Sequence, residues 1–166
     1  MIRLAKRTDY GIVLLTHFAR DPGRSVHNAR EIAAATRLPA PIVSQILKLL
    51  ARAGLLVSHR GTKGGYGLAR PPEQIAVSDI LRALEGPIGL MECTLGFPGI
   101  CGHEPLCAVR DHWQWINRAF LEAMDNLSLS HLAMPPALFA RRMRLAPAGG
   151  GPSPRRPPSP ADWREP

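Results

Sequence analysis

Apolar positions recur at helical spacing from the start of the chain. In KRTDYGIVLLTHFARDPG, Tyr10, Val13, Leu14, His17 and Phe18 share one face, and Asp21-Pro22-Gly23 ends the pattern. Asn28 then stands where it can cap a helix, with Glu31 three residues on to complete a capping box. The short helix REIAAAT ends near Arg37. A second start follows at LPAP, where proline suits a first turn, and the helix runs through IVSQILKLLARAG with Gly54 past its end. On it Ile42, Ile46, Leu49 and Leu50 are the expected buried stripe, leaving Ser44, Gln45, Lys48 and Arg52 opposite. The period then changes. LLVSHR reads as a strand, GTKGG as a tight turn, and YGLAR as a return strand closed by Pro71-Pro72. Helix resumes in SDILRALEG and ends at Gly86. The longest helical pattern, RDHWQWINRAFLEAMDNLSLSHL, aligns Ile116, Phe120, Met124 and Leu127, flanked by Trp113, Ala119 and Ala123.

Two short helices joined by about three residues form a helix-turn-helix pattern, and a basic hairpin directly after them reads as a wing. The expected fold is mainly α with a small β wing. It comprises a winged helix-turn-helix domain over 1–86, a cysteine-rich loop over 87–110, a long helix over 111–132 and a disordered Pro/Arg-rich tail over 133–166. Residues 135–166 hold nine of the seventeen prolines, too little apolar surface to offset the entropy of ordering. The long helix can pack on its own core or pair with a second copy. Pairing is the expectation, because a helix-turn-helix gains specificity by reading two half-sites about one DNA turn apart.

Charge sharpens this division. The chain carries 21 Lys+Arg against 13 Asp+Glu, a net +8. By segment the balance is +7 over 1–90, −3 over 91–134 and +4 over 135–166. A basic front half suits a polyanion, and an acidic middle does not. Helix pairs with one solvated basic face are common, so the pattern gains force from the wing, where Arg60 and Lys63 are placed to reach phosphates or a narrow minor groove. The wing turn lacks a Walker Gly-Lys-Ser/Thr and leads into a strand, which excludes a nucleotide phosphate loop. RNA binding lacks aromatic platforms, at 5% aromatic residues. Enzymatic chemistry lacks a nucleophile–base pair or paired carboxylates. No stretch reaches the roughly 18–20 apolar residues of a membrane span, and the N-terminus has no secretory signature. The expectation is a cytoplasmic protein with reduced thiols and no membrane partner.

All three cysteines, Cys93, Cys101 and Cys107, lie in ECTLGFPGICGHEPLCAVRDH, separated by seven and five residues. This spacing does not match the Cys-x2–4-Cys pairs of zinc ribbons and fingers. An odd number cannot all pair in disulfides. Three thiolates on a loop with glycines at 96, 99 and 102 could hold an iron–sulfur cluster. They could equally be redox-sensitive thiols, and composition does not separate the two.

The arrangement from residue 2 to about 132 resembles the bacterial winged-helix regulator family that includes IscR, NsrR and RirA, above all regulators of Suf-type iron–sulfur cluster assembly. The resemblance rests on RLAKRTDYGIVLL, on LPAPIVSQILKLLARAGLLVSHRGTKGGYGLAR with its wing motif Arg60-Gly61-x-x-Gly64-Gly65-Tyr66, and on the three-cysteine loop before a long helix. It implies a homodimeric transcription regulator of double-stranded promoter DNA, carrying a 2Fe–2S or 4Fe–4S cluster on Cys93, Cys101 and Cys107. Cluster status, redox state or nitric oxide would alter promoter occupancy. The alternative is the same DNA-binding dimer with structural zinc or redox-active thiols. The chain departs from the IscR pattern three residues after the last cysteine, where Arg110 replaces histidine. By the resemblance, Asp9 from the partner's first helix leads as fourth ligand, followed by His112 and then a small-molecule or solvent ligand. The implied DNA-contacting residues are Pro39, Ala40, Ser44, Gln45 and Lys48 on the recognition helix, with Arg60, Lys63 and Tyr66 on the wing. Gln45 suits an adenine edge and Lys48 a phosphate.

Overall fold

The structure is a computed structural model that describes residues 4–21, 26–61, 64–97 and 99–145. The chain divides into two compact units, Met1–Met134 and Pro135–Pro166. In the first, α1 (Lys6–Arg20), α2 (Ala29–Thr36) and α3 (Ala40–Arg52) precede a hairpin of β1 (Leu56–His59) and β2 (Gly65–Leu68). Helices α4 (Val77–Glu85), α5 (Arg110–Asp125) and α6 (Leu129–Ala133) follow. The fold is thus mostly helical with one small antiparallel sheet, its register running from Leu56 opposite Leu68 to His59 opposite Gly65.

One apolar core holds the unit together. Leu14, Leu15 and Phe18 of α1 meet Ile32 of α2, Val43, Ile46, Leu47 and Leu50 of α3, Ile80 and Leu84 of α4, and Leu129 of α6. Burying each such side chain contributes roughly 1.5–3 kcal/mol. A Cβ on Gly11 would stand 2.5 Å from Leu84 Cδ1, so a side chain there would have to displace Leu84 where α1 and α4 pack. The α2 cap is the one its sequence predicts: Arg30 N donates to Asn28 Oδ1 at 2.9 Å, and Asn28 N donates to Glu31 Oε2 at 3.3 Å. The sheet gains a short third rung where His27 and Tyr66 exchange backbone hydrogen bonds of 2.8 and 2.9 Å. A side chain on Gly65 would collide with the His27 carbonyl, and backbone at that point cannot give way.

The expected buried stripe of α3 is corrected. Val43, Ile46, Leu47 and Leu50 are buried, whereas Ile42 and Leu49 are half-buried on the flank. The observed set has the i, i+3, i+4, i+7 spacing of a core-facing helix. The long helix is also corrected. It stops at Asp125, because Leu127 and Ser128 leave the helix to pair with the strand-like run before α4: Val77 N donates to Leu127 O and Leu129 N to Ile75 O, both at 2.8 Å. Ser128 then opens α6, its backbone N donating to His131 Nδ1 at 3.0 Å. In the second unit, Pro136–Leu145 form helix α7, where a disordered tail was expected. Composition averaged over 133–166 hid a local run of helix formers, ALFARRMRL, behind a proline placed in the first turn. The rest of that expected tail, 146–166, lies outside the described residues.

Candidate nucleic-acid interface and cysteine loop

Burial of one side of α3 turns Pro41, Gln45, Lys48 and Arg52 outward, all exposed. Pro39 and Ala40 are exposed at its leading end, and Ser44 is half-buried on the flank. Between α1 and α3 runs a groove of about 710 Å³. Four cations, Lys6, Arg7, Lys48 and Arg52, line it over a floor that includes Tyr10, Ile42 and Leu49, and among the described residues no carboxylate lines it. Arg60 is exposed at the wing, and Lys63 lies outside the described residues. Tyr66, opposite Ser58 one rung from the wing turn, packs half-buried against the core.

The start of α1 is fastened to the end of α4. The Glu85 carboxylate accepts from the Ala5 backbone N at 2.8 Å and from the Thr8 hydroxyl, and Arg7 donates to Leu84 O at 2.5 Å. The bonds from Thr8, first, and Ala5, with the nearby Arg7 charge, hold the Glu85 carboxyl below its ordinary pKa of 4.5. Asp9 stands exposed in the same first turn.

The segment between α4 and α5 has little apolar anchorage and is held by polar bonds. Leu90 N donates to Asn117 Oδ1 at 3.1 Å, and Asn117 is the one buried residue of α5. Cys93 sits in a single 3-10 turn, Glu92–Thr94. Further on, the backbone bonds step by three: Glu104 N donates to Cys101 O, Cys107 N to Glu104 O, and Arg110 N to Cys107 O, at 3.1–3.3 Å. Arg110 Nε donates to Glu104 Oε1 at 2.8 Å, which raises the arginine's pKa, and Cys93 lies near enough to add to the field there.

All three thiols are free and half-buried. Cys93 lines a cleft of about 430 Å³ with Asn117 and Arg118, while Cys101 lines another of about 450 Å³ with Glu104 and Arg110. His112 faces neither; it lines a third cleft with Trp115 and Ile116. Among the described residues, no three of His, Cys, Asp and Glu stand close enough together to hold a metal ion. In kind, the donors fit an iron–sulfur cluster, with three soft thiolates on a loop free of core packing. The loop would have to draw them together.

Residues 4–135 match the family model named Rrf2, described as an iron-dependent transcriptional regulator. This chain belongs to the Rrf2 family. Its relatives include the HTH-type transcriptional regulator CymR of Bacillus subtilis, 32% identical over 132 residues that cover 80% of this chain and 90% of CymR. The solved structure of that protein, titled the global cysteine regulator of B. subtilis, superposes with a TM-score of 0.63 at 31% identity over 80% of this chain and 97% of the other. IscR of T. potens superposes with a TM-score of 0.58 at 28% identity, covering 78% and 84%. The protein is therefore a winged-helix transcriptional regulator of the Rrf2 type. Among the described residues no helix is long and apolar enough to cross a membrane.

In this Rrf2 chain the structure gathers Gln45, Lys48 and Arg52 on one helix face and sets Lys6 and Arg7 across the groove from them. Sequence reasoning missed the α1 pair, whose only signal is two adjacent cations in a first turn.

Proposed function

We propose that this regulator binds promoter DNA as a homodimer in the cytoplasm and senses cellular state through an iron–sulfur cluster, 2Fe–2S or 4Fe–4S, on Cys93, Cys101 and Cys107. The observation that carries the reading is the placement of every thiol of the chain on the one irregular segment that joins the DNA-binding half to α5. The exposed face of α3, with Gln45, Lys48 and Arg52, is the surface offered to the major groove, and Arg60 and Lys63 add wing contacts to the backbone. Ile116 and Trp115 are 47% and 68% exposed on α5, which suits a helix that pairs with its copy. An Asp9 carboxylate from the partner would complete the cluster, tying the first helix of one protomer to the loop of the other. A cluster that favours one spacing of the recognition helices shifts occupancy by its differential affinity for the two arrangements.

The separation of Cys93 and Cys101 into different clefts favours a second reading, in which the thiols act by oxidation without a cluster. One experiment decides between them. Protein purified without oxygen is assayed for iron, sulfide and zinc per chain, and its binding to promoter duplexes is followed by fluorescence anisotropy. Near-equal iron and sulfide, with affinity that changes when the cluster is removed, supports the cluster sensor. A colourless protein that refuses reconstitution, and whose DNA binding follows thiol oxidation or zinc, overturns it.

A further inference from the structure

We propose that α7 is a second DNA contact of this regulator, an arginine arm that binds duplex phosphates flanking those reached by α3 and the wing. The proposal rests on the DNA-binding reading above and adds a surface which that reading does not use.

Charge in this part of the chain is one-sided. From Asn126 to Ala161 the sequence carries five arginines, Arg141, Arg142, Arg144, Arg155 and Arg156, and neither Asp nor Glu. Three of the five fall within α7. Arg141 and Arg142 are exposed there, and among the described residues no carboxylate pairs with either. Cations without an internal partner are available to an external anion. Duplex DNA presents one charge about every 1.7 Å along its axis, and the guanidinium fork matches phosphate oxygens.

The first unit releases the chain on its wing side. Arg20 Nε, in the last turn of α1, donates to Ala133 O at 3.2 Å and fastens the end of α6 there. The same stretch of α1 carries His17 and Phe18, whose rings lie 5.3 and 5.0 Å from that of His27. His27 pairs through its backbone with Tyr66 of β2. After α6 only Met134 and Pro135 precede α7. So short a tether gives the arginines a high effective concentration at a duplex that the wing touches. A membrane surface is the poorer match. Leu138 and Met143, the exposed large apolar residues of α7, stand five apart, about 140° round the helix. Leu138 also lies one turn before both Arg141 and Arg142, so basic and apolar positions interleave where a membrane-surface helix separates them. The acidic middle of this chain is no better a partner. Glu104 and Asp111 already face Arg110, and Asp125 faces Arg82.

The test uses full-length protein purified without oxygen, as wild type, as Lys48→Ala, and with Arg141 and Arg142 changed together. The pairs are Arg141→Gln with Arg142→Gln, Arg141→Ala with Arg142→Ala, and Arg141→Lys with Arg142→Lys. Probes are random-sequence duplexes of about 20 and about 40 base pairs, roughly two and four helical turns. Binding is titrated by fluorescence anisotropy from about 50 to about 200 mM salt, and circular dichroism checks folding. Alanine is the strongest helix former, so a glutamine pair that fails to fold leaves the test intact. The glutamine and alanine pairs are expected to bind the longer duplex about tenfold or more weakly. Their slope of log affinity against log salt falls by about two units for each arm engaged. The lysine pair keeps the charge and stays within about threefold of wild type. On the shorter duplex, which lacks the flanking phosphates, the loss is smaller. Equal losses on both duplexes overturn the flanking contact. Neutral pairs with wild-type affinity and slope overturn the arm, while a weakened Lys48→Ala leaves the DNA-binding reading standing. Tighter binding by the neutral pairs overturns it in favour of a contact with the chain's own acids. Retention of wild type but not the glutamine pair on phosphatidylserine vesicles, at unchanged duplex affinity, overturns it in favour of a membrane. A wild type that binds neither duplex overturns both readings.

Discussion

Lys48 stands exposed on the outward face of α3, one turn before Arg52. In the proposed DNA complex, a point charge on a flexible stem suits a phosphate rather than a base edge. Lys48→Ala is expected to weaken binding to all duplex sequences alike and to reduce the slope of log affinity against log salt by about one unit. Anisotropy titrations at several salt concentrations on specific and scrambled duplexes check this, and a sequence-selective loss would contradict it. At Glu85 the prediction concerns pH. A carboxyl whose folded pKa lies below its unfolded value stabilises the fold above the unfolded value, and that contribution fades as pH falls through the folded one. Glu85→Gln therefore lowers the melting temperature at neutral pH, and its difference from wild type closes as pH falls below about 4.5. A difference that is constant from pH 7 to pH 3 would show that the bonds to Thr8 and Ala5 contribute nothing through charge.

Among the elements, α3 separates a good pattern from a good register. Its apolar residues number enough for either of two adjacent faces, and the sequence reading chose Ile42, Ile46, Leu49 and Leu50. The chain instead buries Val43, Ile46, Leu47 and Leu50, because α1 and α2 present Leu14, Leu15, Phe18 and Ile32 on the side that Val43 and Leu47 face. Leu47→Ala is expected to cost 2–5 kcal/mol, the range for an aliphatic side chain removed from a packed core. Leu49→Ala, on the half-buried flank, costs clearly less. Urea unfolding of the two variants measures the difference, and equal losses would contradict the register. The caps and the wing turn were legible in the sequence, since Asn28, Glu31 and the turn glycines Gly61 and Gly64 act through near neighbours. The end of α5 was not. Leu127 and Ser128 continue an apolar pattern in the sequence, and only the backbone of Ile75 and Val77, some fifty residues away, draws them out of the helix.

At the scale of the whole molecule, the open face of α5 bears most directly on the proposed dimer. Ile116 is 47% exposed and Phe120 and Met124 are half-buried in the single chain. In a two-fold pair each of these positions enters the interface twice. Ile116→Asp is expected to cost at least about 2 kcal/mol at each copy, the level of an interface hot spot, so that the protein sediments as a monomer at micromolar concentration. A full palindromic site then loses affinity while a half-site does not. A variant that remains dimeric with wild-type affinity would place the interface elsewhere.

Local and periodic information was enough for the winged helix-turn-helix, the face of Gln45 and Lys48, and the three thiols on one loop. Those features depend on neighbours within a few residues, where helix and strand periods and turn chemistry act. Contacts between distant segments decided the rest. The tertiary structure set the register of α3, brought Lys6 and Arg7 to the recognition helix, tied α1 to α4 through Glu85, and paired Glu104 with Arg110 while turning His112 away. Each of these depends on which surfaces pack together, a choice made by burial across the whole core and invisible to any short window of the chain.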